Sequence, residues 1–192
     1  MAKRMFDFVF AMAGILLTGW IMLLFFMIAA VDTGQSGLFK QQRIGRFGKK
    51  FTIYKLRTMK DTPRGKYISG AGRLMRRFKI DELPQFFNIL TGSMSFVGPR
   101  PDIPGYYDLL QGDDRRLLQL RPGLTGPASL KYANEEAILA TAKDPVYFND
   151  HVVFPDKVRI NRAYQEHAGF WMDIKMILYT LRGRLPTEDY LQ

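Results

Sequence analysis

The hydrophobic and polar positions of the chain divide it into one long apolar run and a series of short amphipathic segments. Residues 9–31 form 23 consecutive positions without a charged side chain. At about 1.5 Å per residue this run predicts a helix of roughly 35 Å, enough to cross a bilayer core of about 30 Å. A cleaved signal peptide has a shorter apolar region, of about 7–15 residues. The simplest interpretation is therefore one membrane-spanning helix.

Two features favour an alternative in which this helix bends and returns to the same face of the membrane. Lys3 and Arg4 precede the run and Lys40 begins a basic stretch after it, and positive flanks favour the cytoplasmic side. Thr18 and Gly19 lie near the middle, where glycine weakens a helix and a threonine hydroxyl can bond to a freed carbonyl. Glycine is also common in ordinary transmembrane helices, so the pattern alone leaves the spanning and the re-entrant forms open.

Beyond the apolar run, the periodicity predicts an α+β fold that is rich in helix and has a few short strands. Residues 51–57 alternate and are rich in β-forming side chains, which predicts a strand after a glycine-containing turn. Residues 61–72 contain one proline and three glycines and predict a loop. Apolar spacing, Pro84 and Gly92 predict a helix that begins near residues 81–83. Further helices are predicted over residues 106–120, 135–142, 156–166 and 170–181.

The last predicted helix carries an apolar stripe, formed by Trp171, Ile174, Ile177, Leu178 and Leu181. Such a stripe either packs against neighbouring helices or rests in the membrane interface, and the sequence leaves both open. We expect two parts in the chain: a membrane helix over residues 1–36, and a domain over residues 37–192 that rests on the membrane interface.

Charge is distributed very unevenly along the chain. The 192 residues include 28 Lys and Arg against 18 Asp and Glu, a net charge of +10. Residues 40–79 contain 14 of these basic residues and one acid, so the remainder is slightly acidic. The chain has no cysteine, which excludes a disulfide scaffold, a Cys-ligated metal site and a thiol nucleophile. A basic block beside an apolar segment indicates a phosphate-bearing partner at a membrane.

Asp81 and Glu82 are adjacent carboxylates at a predicted helix start, directly after Arg76, Arg77 and Lys79. The helix N-terminus and these basic residues favour the ionised form of Asp81. An ionised Asp81 can act as a nucleophile or, with Glu82, bind a hard cation such as Mg²⁺. The plainer interpretation is that Asp81 caps the helix and Glu82 is a favourable first-turn acid. The residues alone leave both interpretations open.

Arginines in rigid loops form a second candidate group. Arg100 stands between two prolines and Arg121 precedes a Pro-Gly pair, so ordering either side chain costs little backbone entropy. A held guanidinium suits bidentate binding of phosphate. A single arginine is more often a solvated surface charge, but phosphate binding explains the set better. That set is Lys55, Arg57, Arg76, Arg100 and Arg121.

A second hypothesis is a membrane-anchored polybasic module that binds acidic lipid or nucleic acid without catalysis. It explains the charge of residues 40–79. It does not explain the Asp81–Glu82 pair or the proline-flanked Arg100. Few aromatic side chains in the block could stack on bases, which counts against nucleic acid. Binding that is salt-sensitive and indifferent to Asp81 and Mg²⁺ would distinguish this hypothesis.

Taken together, several motifs resemble those of the small monotopic phosphoglycosyl transferases, the bacterial enzymes that begin lipid-linked glycan assembly. The resemblance runs from residue 3 to about residue 182. The motifs that carry it are Lys-Arg-Met-Phe-Asp-Phe at 3–8, Gln-Arg-Ile-Gly at 42–45, Phe-x-Ile-Tyr-Lys-x-Arg-Thr-Met at 51–59, Asp-Glu-Leu-Pro-Gln-x-Phe-Asn at 81–88, Met-Ser-Phe-Val-Gly-Pro-Arg-Pro at 94–101 and Arg-Pro-Gly-x-Thr-Gly at 121–126.

The resemblance implies an enzyme that transfers a phosphosugar from a UDP-sugar to undecaprenyl phosphate, releases UMP and requires Mg²⁺. It implies that Asp81 is the nucleophile of a covalent intermediate and that Glu82 assists in metal binding or proton removal. Arg76 and Arg100 would handle phosphate, with Lys55, Arg57 and Arg121 as further contributors. The implied donor is an N-acetylated UDP-sugar such as UDP-diacetylbacillosamine.

The resemblance also implies a re-entrant membrane helix over residues 1–36, with both ends on the cytoplasmic face of the bacterial inner membrane. Residues 37–192 would then be a cytoplasmic catalytic domain that rests on the membrane interface. The usual Ser-Pro break of the family is replaced here by residues around Thr18 and Gly19, with no proline. The expected partners are the UDP-sugar, undecaprenyl phosphate, the phospholipid bilayer and downstream glycosyltransferases, and nucleic acid is not expected.

Overall fold

Helices and a few short strands alternate along the chain in the computed structural model, which describes residues 2–63 and 65–183. The predicted fold class, α+β and rich in helix, is confirmed. The chain forms two compact units. Unit 1 comprises residues 1–43 and 50–94, and unit 2 comprises residues 44–49 and 95–192. The predicted boundary between residues 36 and 37 concerns the membrane and stays a prediction.

The helices and strands of the described residues have the following bounds. The helices are α1 (Ala2–Thr33), α2 (Gly70–Arg77), α3 (Gln85–Thr91), α4 (Pro127–Lys131), α5 (Glu135–Ala140), α6 (Pro145–Phe148), α7 (Phe154–Glu166) and α8 (Phe170–Arg182). The strands are β1 (Leu38–Ile44), β2 (Lys50–Leu56), β3 (Met59–Thr62), β4 (Gly65–Ile68), β5 (Ser95–Val97) and β6 (Gly123–Thr125).

Helix α1 runs unbroken from Ala2 to Thr33. Within the described residues it is the one helix long and apolar enough to cross a membrane. The Thr18 hydroxyl donates to the carbonyl of Gly14 at 2.7 Å, which is the local back-bond expected of a helical threonine. Ala11, Met22 and Ala29 are buried on one side, whereas Leu16 and Trp20 are among the exposed apolar residues of the other. The bend at Thr18 and Gly19 stays a prediction.

Unit 1 is built around α1, α2, α3 and two pairs of strands. Strand β1 pairs with β2, and β3 pairs with β4 in an antiparallel hairpin. Ala29 of α1, Leu56 of β2 and Met75 of α2 form a buried apolar cluster, and Ile80 packs against it. The turn that carries Asp81 is therefore supported directly by α1, because Ile80 is the preceding residue.

Unit 2 joins its helices to a short parallel pair of strands, β5 and β6, with Ser95 opposite Gly123. One core cluster lies between α7 and the segments before β6, and it includes Ile44 from the tip of the β1–β2 hairpin together with Leu117 and Val158. A second cluster contains Val97 of β5 and Met176 of α8. The hairpin tip, residues 44–49, thus belongs to unit 2, although the other residues of this unit begin at Ser95.

Two local predictions differ from the structure, and the exposure of a third segment, α8, was left open by the sequence. Residues 61–72 are not a single loop, because the β3–β4 hairpin and the first turn of α2 occupy this segment. Residues 106–120 form two 3₁₀ segments, Tyr107–Leu109 and Gly112–Gln119, rather than one α-helix. Helix α8 forms as expected, but Asp173 and Met176 are its buried residues, while Trp171 is exposed together with the apolar residues Leu178 and Leu181.

Candidate active site

Asp81 and Glu82 lie in a tight 3₁₀ turn, Ile80–Glu82, between helices α2 and α3. Lys79 precedes the turn with a φ of 56°, a left-handed conformation that a non-glycine residue adopts rarely. This reversal and the tight turn place both carboxylates inside unit 1, where Asp81 is 8% and Glu82 9% exposed. Buried carboxylates in a strained turn are typical of functional positions rather than of surface acids.

The plainer interpretation of Asp81 as a helix cap is wrong. Lys79 occupies the N-cap position of the 3₁₀ turn and Pro84 that of α3, and neither position has a side-chain capping bond. Asp81 lies within the 3₁₀ turn, so its side chain does not satisfy the orphan N–H groups at the start of α3. A role in packing or capping therefore does not account for an aspartate at this position.

Three of the predicted basic residues share unit 1 with the carboxylates, and two of them, Lys55 and Arg76, act on the carboxylate pair. The Lys55 ammonium nitrogen, on β2, lies 3.6 Å from Oε1 of Glu82. Arg76, near the end of α2, donates from Nε to the hydroxyl of Thr58 at 3.1 Å, which orients its guanidinium. These cations also favour the charged form of Asp81, as does Lys79.

Burial nevertheless dominates the protonation of Asp81. Removal from water raises the pKa of Asp81 above its ordinary value, and the negative charge of Glu82 raises it further. The charges of Lys55, Lys79 and Arg76 oppose this shift but do not cancel it. The expectation that the surroundings favour ionised Asp81 is thus wrong in direction, because the sequence showed the positive neighbours but not the burial.

One oxygen of Asp81 has the properties of a ligand atom or a nucleophile. Oδ1 of Asp81 is buried and, among the described residues, has no hydrogen-bond partner. An unpaired buried carboxylate oxygen is costly unless a substrate or cation completes its bonding. Mg²⁺ typically binds one or two protein carboxylates together with substrate phosphates. Asp81 and Glu82 therefore fit Mg²⁺, and residues 2–63 and 65–183 contain no group of three or more His, Cys, Asp or Glu arranged to hold a metal.

The remaining predicted residues are placed differently. Arg57 belongs to unit 1, but its Nε donates to the carbonyl of Ser36 at 2.8 Å and its guanidinium lies over the Phe39 ring. These contacts tie Arg57 to the chain segment after α1. Arg100 and Arg121 belong to unit 2. Within unit 1, the structure thus brings Lys55 and Arg76 together with the carboxylate pair, whereas Arg57 contacts the segment after α1.

The loops of Arg100 and Arg121 contact each other within unit 2. The N–H of Gly123 donates to the carbonyl of Pro99 at 2.8 Å, and that of Gly98 donates to the carbonyl of Thr125 at 2.9 Å. A Cβ on Gly98 would lie 2.2 Å from the Arg121 carbonyl oxygen, so only glycine permits this approach. These contacts join the two loops, and the rigid backbone expected around Arg100 and Arg121 stays a prediction.

Two amide side chains near the carboxylates were not among the predicted site residues. Gln85 follows the turn and is 1% exposed, and its Nε2 has no hydrogen-bond partner among the described residues. Asn88 accepts from the N–H of Tyr54 at 3.1 Å and donates to the carbonyl of Thr52 at 2.7 Å, which fixes α3 to β2. Both residues belong to the motif at residues 81–88, and this was the signal that could have identified them.

The arrangement in unit 1 can support nucleophilic substitution at phosphorus. It offers a carboxylate oxygen as nucleophile, a second carboxylate beside it, cations that offset phosphate charge, and an amide donor in Gln85. Unit 1 has no histidine in its sequence; His151 and His167 both belong to unit 2.

Comparison with known proteins gives a consistent result. The sequence model of the family described as bacterial sugar transferase matches residues 1–186. The uncharacterized sugar transferase EpsL of Bacillus subtilis (strain 168) is 32% identical over 99% of this chain and 90% of its own length. The UDP-glucose:undecaprenyl-phosphate glucose-1-phosphate transferase of Caulobacter vibrioides is 31% identical, over 97% of this chain and 71% of its own length.

A longer relative names a different sugar. The UDP-N-acetylgalactosamine-undecaprenyl-phosphate N-acetylgalactosaminephosphotransferase of Aeromonas hydrophila is 27% identical over 94% of this chain. The chain matches 43% of that relative's own length. The Caulobacter and Aeromonas relatives thus share undecaprenyl phosphate in their names and differ in the sugar.

Proposed function

The chain belongs to the bacterial sugar transferases that act as polyprenyl-phosphate phosphoglycosyl transferases, and we propose that it transfers a phosphosugar from a UDP-sugar to undecaprenyl phosphate. The observation that carries the proposal is the buried Asp81, whose Oδ1 has no hydrogen-bond partner among the described residues and which lies beside Glu82. We propose an N-acetylated donor, such as UDP-diacetylbacillosamine, and the name of the Aeromonas relative supports an N-acetylated sugar.

The proposed reaction has two displacements at one phosphorus atom. In the first, Oδ1 of Asp81 attacks the phosphorus that bears the sugar, and the P–O bond to UMP breaks, so that UMP leaves as a phosphate monoester. In the second, a phosphate oxygen of undecaprenyl phosphate attacks the same phosphorus. The bond to Asp81 breaks, which restores the carboxylate and gives undecaprenyl diphosphosugar. Because UMP leaves first, the same basic surroundings serve both phosphate groups in turn.

Lys55 and Arg76 support these steps through charge. The diphosphate approaches a carboxylate nucleophile, and the cations offset the repulsion and stabilise the charge of the transition state. Asp81 and Glu82 are the residues that would hold Mg²⁺, which when bound neutralises phosphate charge and polarises the P–O bonds. Arg57, Arg100 and Arg121 are further proposed phosphate contacts.

We further propose that the exposed side of α1 lies in the bacterial inner membrane, with the catalytic residues on the cytoplasmic face. The exposed apolar residues of α1 support this, as do those of α8, whose Trp171 suits a membrane interface. A re-entrant α1 would place residues 2 and 40 on the same side. Since the chain has no cysteine, single cysteines at these positions can be labelled with an impermeant reagent, and labelling from opposite sides would establish a spanning helix.

The chemical test is the trapping of a covalent intermediate. Incubation with a UDP-sugar labelled in the sugar, without acceptor, is expected to leave label on the protein and to release UMP. Asp81→Asn should abolish both, and Glu82→Gln serves as the neighbouring control that keeps the nucleophile. Sugar transfer that survives in Asp81→Asn would contradict the mechanism. Binding of acidic lipid that is indifferent to Asp81 and Mg²⁺, with no transfer, would establish the polybasic-module alternative. A panel of UDP-sugars, followed by UMP release, identifies the donor.

A further inference from the structure

Arg4 contacts the end of the helix that follows the carboxylate pair. Its guanidinium donates to the carbonyl of Ile89 at 2.5 Å and to that of Leu90 at 2.6 Å. These carbonyls lie in the last turn of α3, where helix carbonyls lack intrahelical partners and where a positive charge is favourable. The C-cap of α3 is Gly92, and a Cβ there would lie 3.2 Å from the same guanidinium. Arg4 is therefore a cap of α3 supplied from α1, and not only a flanking charge of the apolar run.

A second contact joins the same two helices. A Cβ on Gly14 would lie 2.7 Å from the ring of Phe86, so this ring of α3 packs directly against α1 at Gly14 and a methyl group there would require the ring to move. Asp7 and Ala11 are buried between these two contacts on the same side of α1. The spacing of these residues, three or four apart, follows one face of a helix. The first half of α1 is thus fixed to α3 at two points.

Helix α3 begins three residues after Glu82. Arg4 holds one end of α3, and the turn with Asp81 lies at the other. A displacement of α3 along its axis would therefore move Asp81 relative to α1. Since α1 is the described helix that is apolar enough to enter a bilayer, the contact between α1 and α3 relates Asp81 to the membrane.

We propose that Arg4 and Gly14 are positioning residues, which set the depth of Asp81 relative to the bilayer through α3. This inference rests on the proposed function. It predicts that the two displacements differ in sensitivity. UDP-sugar arrives from water and can follow Asp81 to a new depth, whereas the phosphate of undecaprenyl phosphate is held at the level of the lipid headgroups. A misplacement of about 1 Å can cost roughly 10²-fold in rate.

The kinetic experiment compares the two displacements in the full chain, reconstituted in vesicles of phosphatidylethanolamine and phosphatidylglycerol. In Arg4→Gln and in Gly14→Ala, UMP release without acceptor should stay within about 3-fold of wild type. Transfer to undecaprenyl phosphate should fall by about 10-fold or more. Lys3→Gln removes a charge from the same turn and is expected to leave transfer unchanged. Gly14→Ala combined with Phe86→Leu should recover transfer, because the smaller side chain makes room for the methyl group. Equal losses in both displacements, or no loss in either, would overturn the proposal.

A second measurement determines how deep the Asp81 turn lies in the bilayer, and it does not require catalysis. Phe78 is 62% exposed and lies three residues before Asp81. Because the sequence contains no cysteine, a fluorophore can be attached specifically to Phe78→Cys. Quenching by brominated lipids of two depths is expected to change in Arg4→Gln and Gly14→Ala and to stay constant in Lys3→Gln. Unchanged quenching in both variants would overturn the positioning role whatever reaction the protein catalyses. A wild-type protein that releases no UMP would contradict the proposed function instead, and the quenching would still decide this inference.

Discussion

The ammonium group of Lys55 lies 3.6 Å from a carboxylate oxygen of Glu82, with only 20% and 11% of the two side chains exposed. Oδ1 of Asp81, in contrast, has no hydrogen-bond partner among the described residues. The two carboxylates are therefore not equivalent: one balances a lysine, and the other has an oxygen left for the substrate. This asymmetry favours Asp81 as the nucleophile on structural grounds that are separate from any resemblance.

Replacing Lys55 with methionine is expected to lower kcat by about 10–100-fold, because Glu82 would keep a buried charge without this lysine. Lys55 lowers the pKa of Asp81, so its removal should raise that pKa further and move the acid limb of the pH–rate profile to higher pH. Lys50→Met removes an exposed charge from the same strand and should leave the profile unchanged. An acid limb that moves to lower pH in Lys55→Met would contradict this assignment.

Asn88→Ala should destabilise the protein by about 1–3 kcal/mol and also lower activity. It removes two hydrogen bonds between α3 and β2 and leaves the N–H of Tyr54 and the carbonyl of Thr52 without this partner. Lys55 of β2 also contacts Glu82 in the turn before α3, so a shift of α3 relative to β2 is expected to disturb this contact and lower activity. Chemical denaturation measures the stability. Gln42→Ala, which removes an exposed bond to the Thr52 hydroxyl, is expected to change stability by less than about 0.5 kcal/mol.

Gly126→Ala should destabilise unit 2 by about 3 kcal/mol, because the new Cβ would lie 2.3 Å from the backbone oxygen of Gly98. The cost comes from this close approach and not from the backbone angle, since φ of Gly126 is 172° and therefore extended. The control is Gly70→Ala, at the first position of α2, where nothing lies within 4 Å of a Cβ. That variant should be neutral or slightly more stable, and thermal unfolding of the pair measures the difference.

Asp156 gives a pH-dependent contribution to stability. Burial raises the pKa of Asp156, but hydrogen bonds from Lys131, Tyr132 and Arg159 outweigh it and hold that pKa below its ordinary value. A carboxyl with a lowered pKa in the folded state stabilises the protein above its unfolded-state pKa, and this stabilisation disappears as the pH falls through the folded-state pKa.

The expected result for Asp156→Asn is a loss of about 1 kcal/mol at pH 7 that shrinks as the pH falls below about 4. Denaturation series at several pH values check this. Asp113→Asn removes a more exposed pair with Arg116 and should cost less than about 0.5 kcal/mol at any pH. A loss for Asp156→Asn that grows toward low pH would refute the assigned sign.

The sequence predicted the elements whose signals are local. Pro84 and Gly92 marked the ends of the helix after the carboxylates, and the glycine indeed adopts a positive φ as the C-cap. Residues 51–57 formed a strand close to the predicted bounds, Lys50–Leu56. The sequence also revealed the pair of Asp81 and Glu82, because two adjacent acidic residues directly after a basic stretch are unusual.

What the sequence did not show depends on contacts between distant segments. Arg4 resembled an ordinary flanking charge, because nothing near it in the chain reveals that the end of α3 lies beside it. The raised pKa of Asp81 follows from burial, which only the assembled unit determines. The left-handed φ of Lys79 could not be anticipated either, since lysine has no preference for it.

Ile44 is 3% exposed in a cluster whose other members all belong to residues beyond Ser95. The core of unit 2 therefore includes a side chain from a much earlier part of the sequence. A fragment that starts at Ser95 would lack this side chain, so the two units are not modules that a protease or a gene fusion can separate cleanly. During synthesis, Ile44 cannot be buried in this cluster until Leu117 and Val158 have left the ribosome.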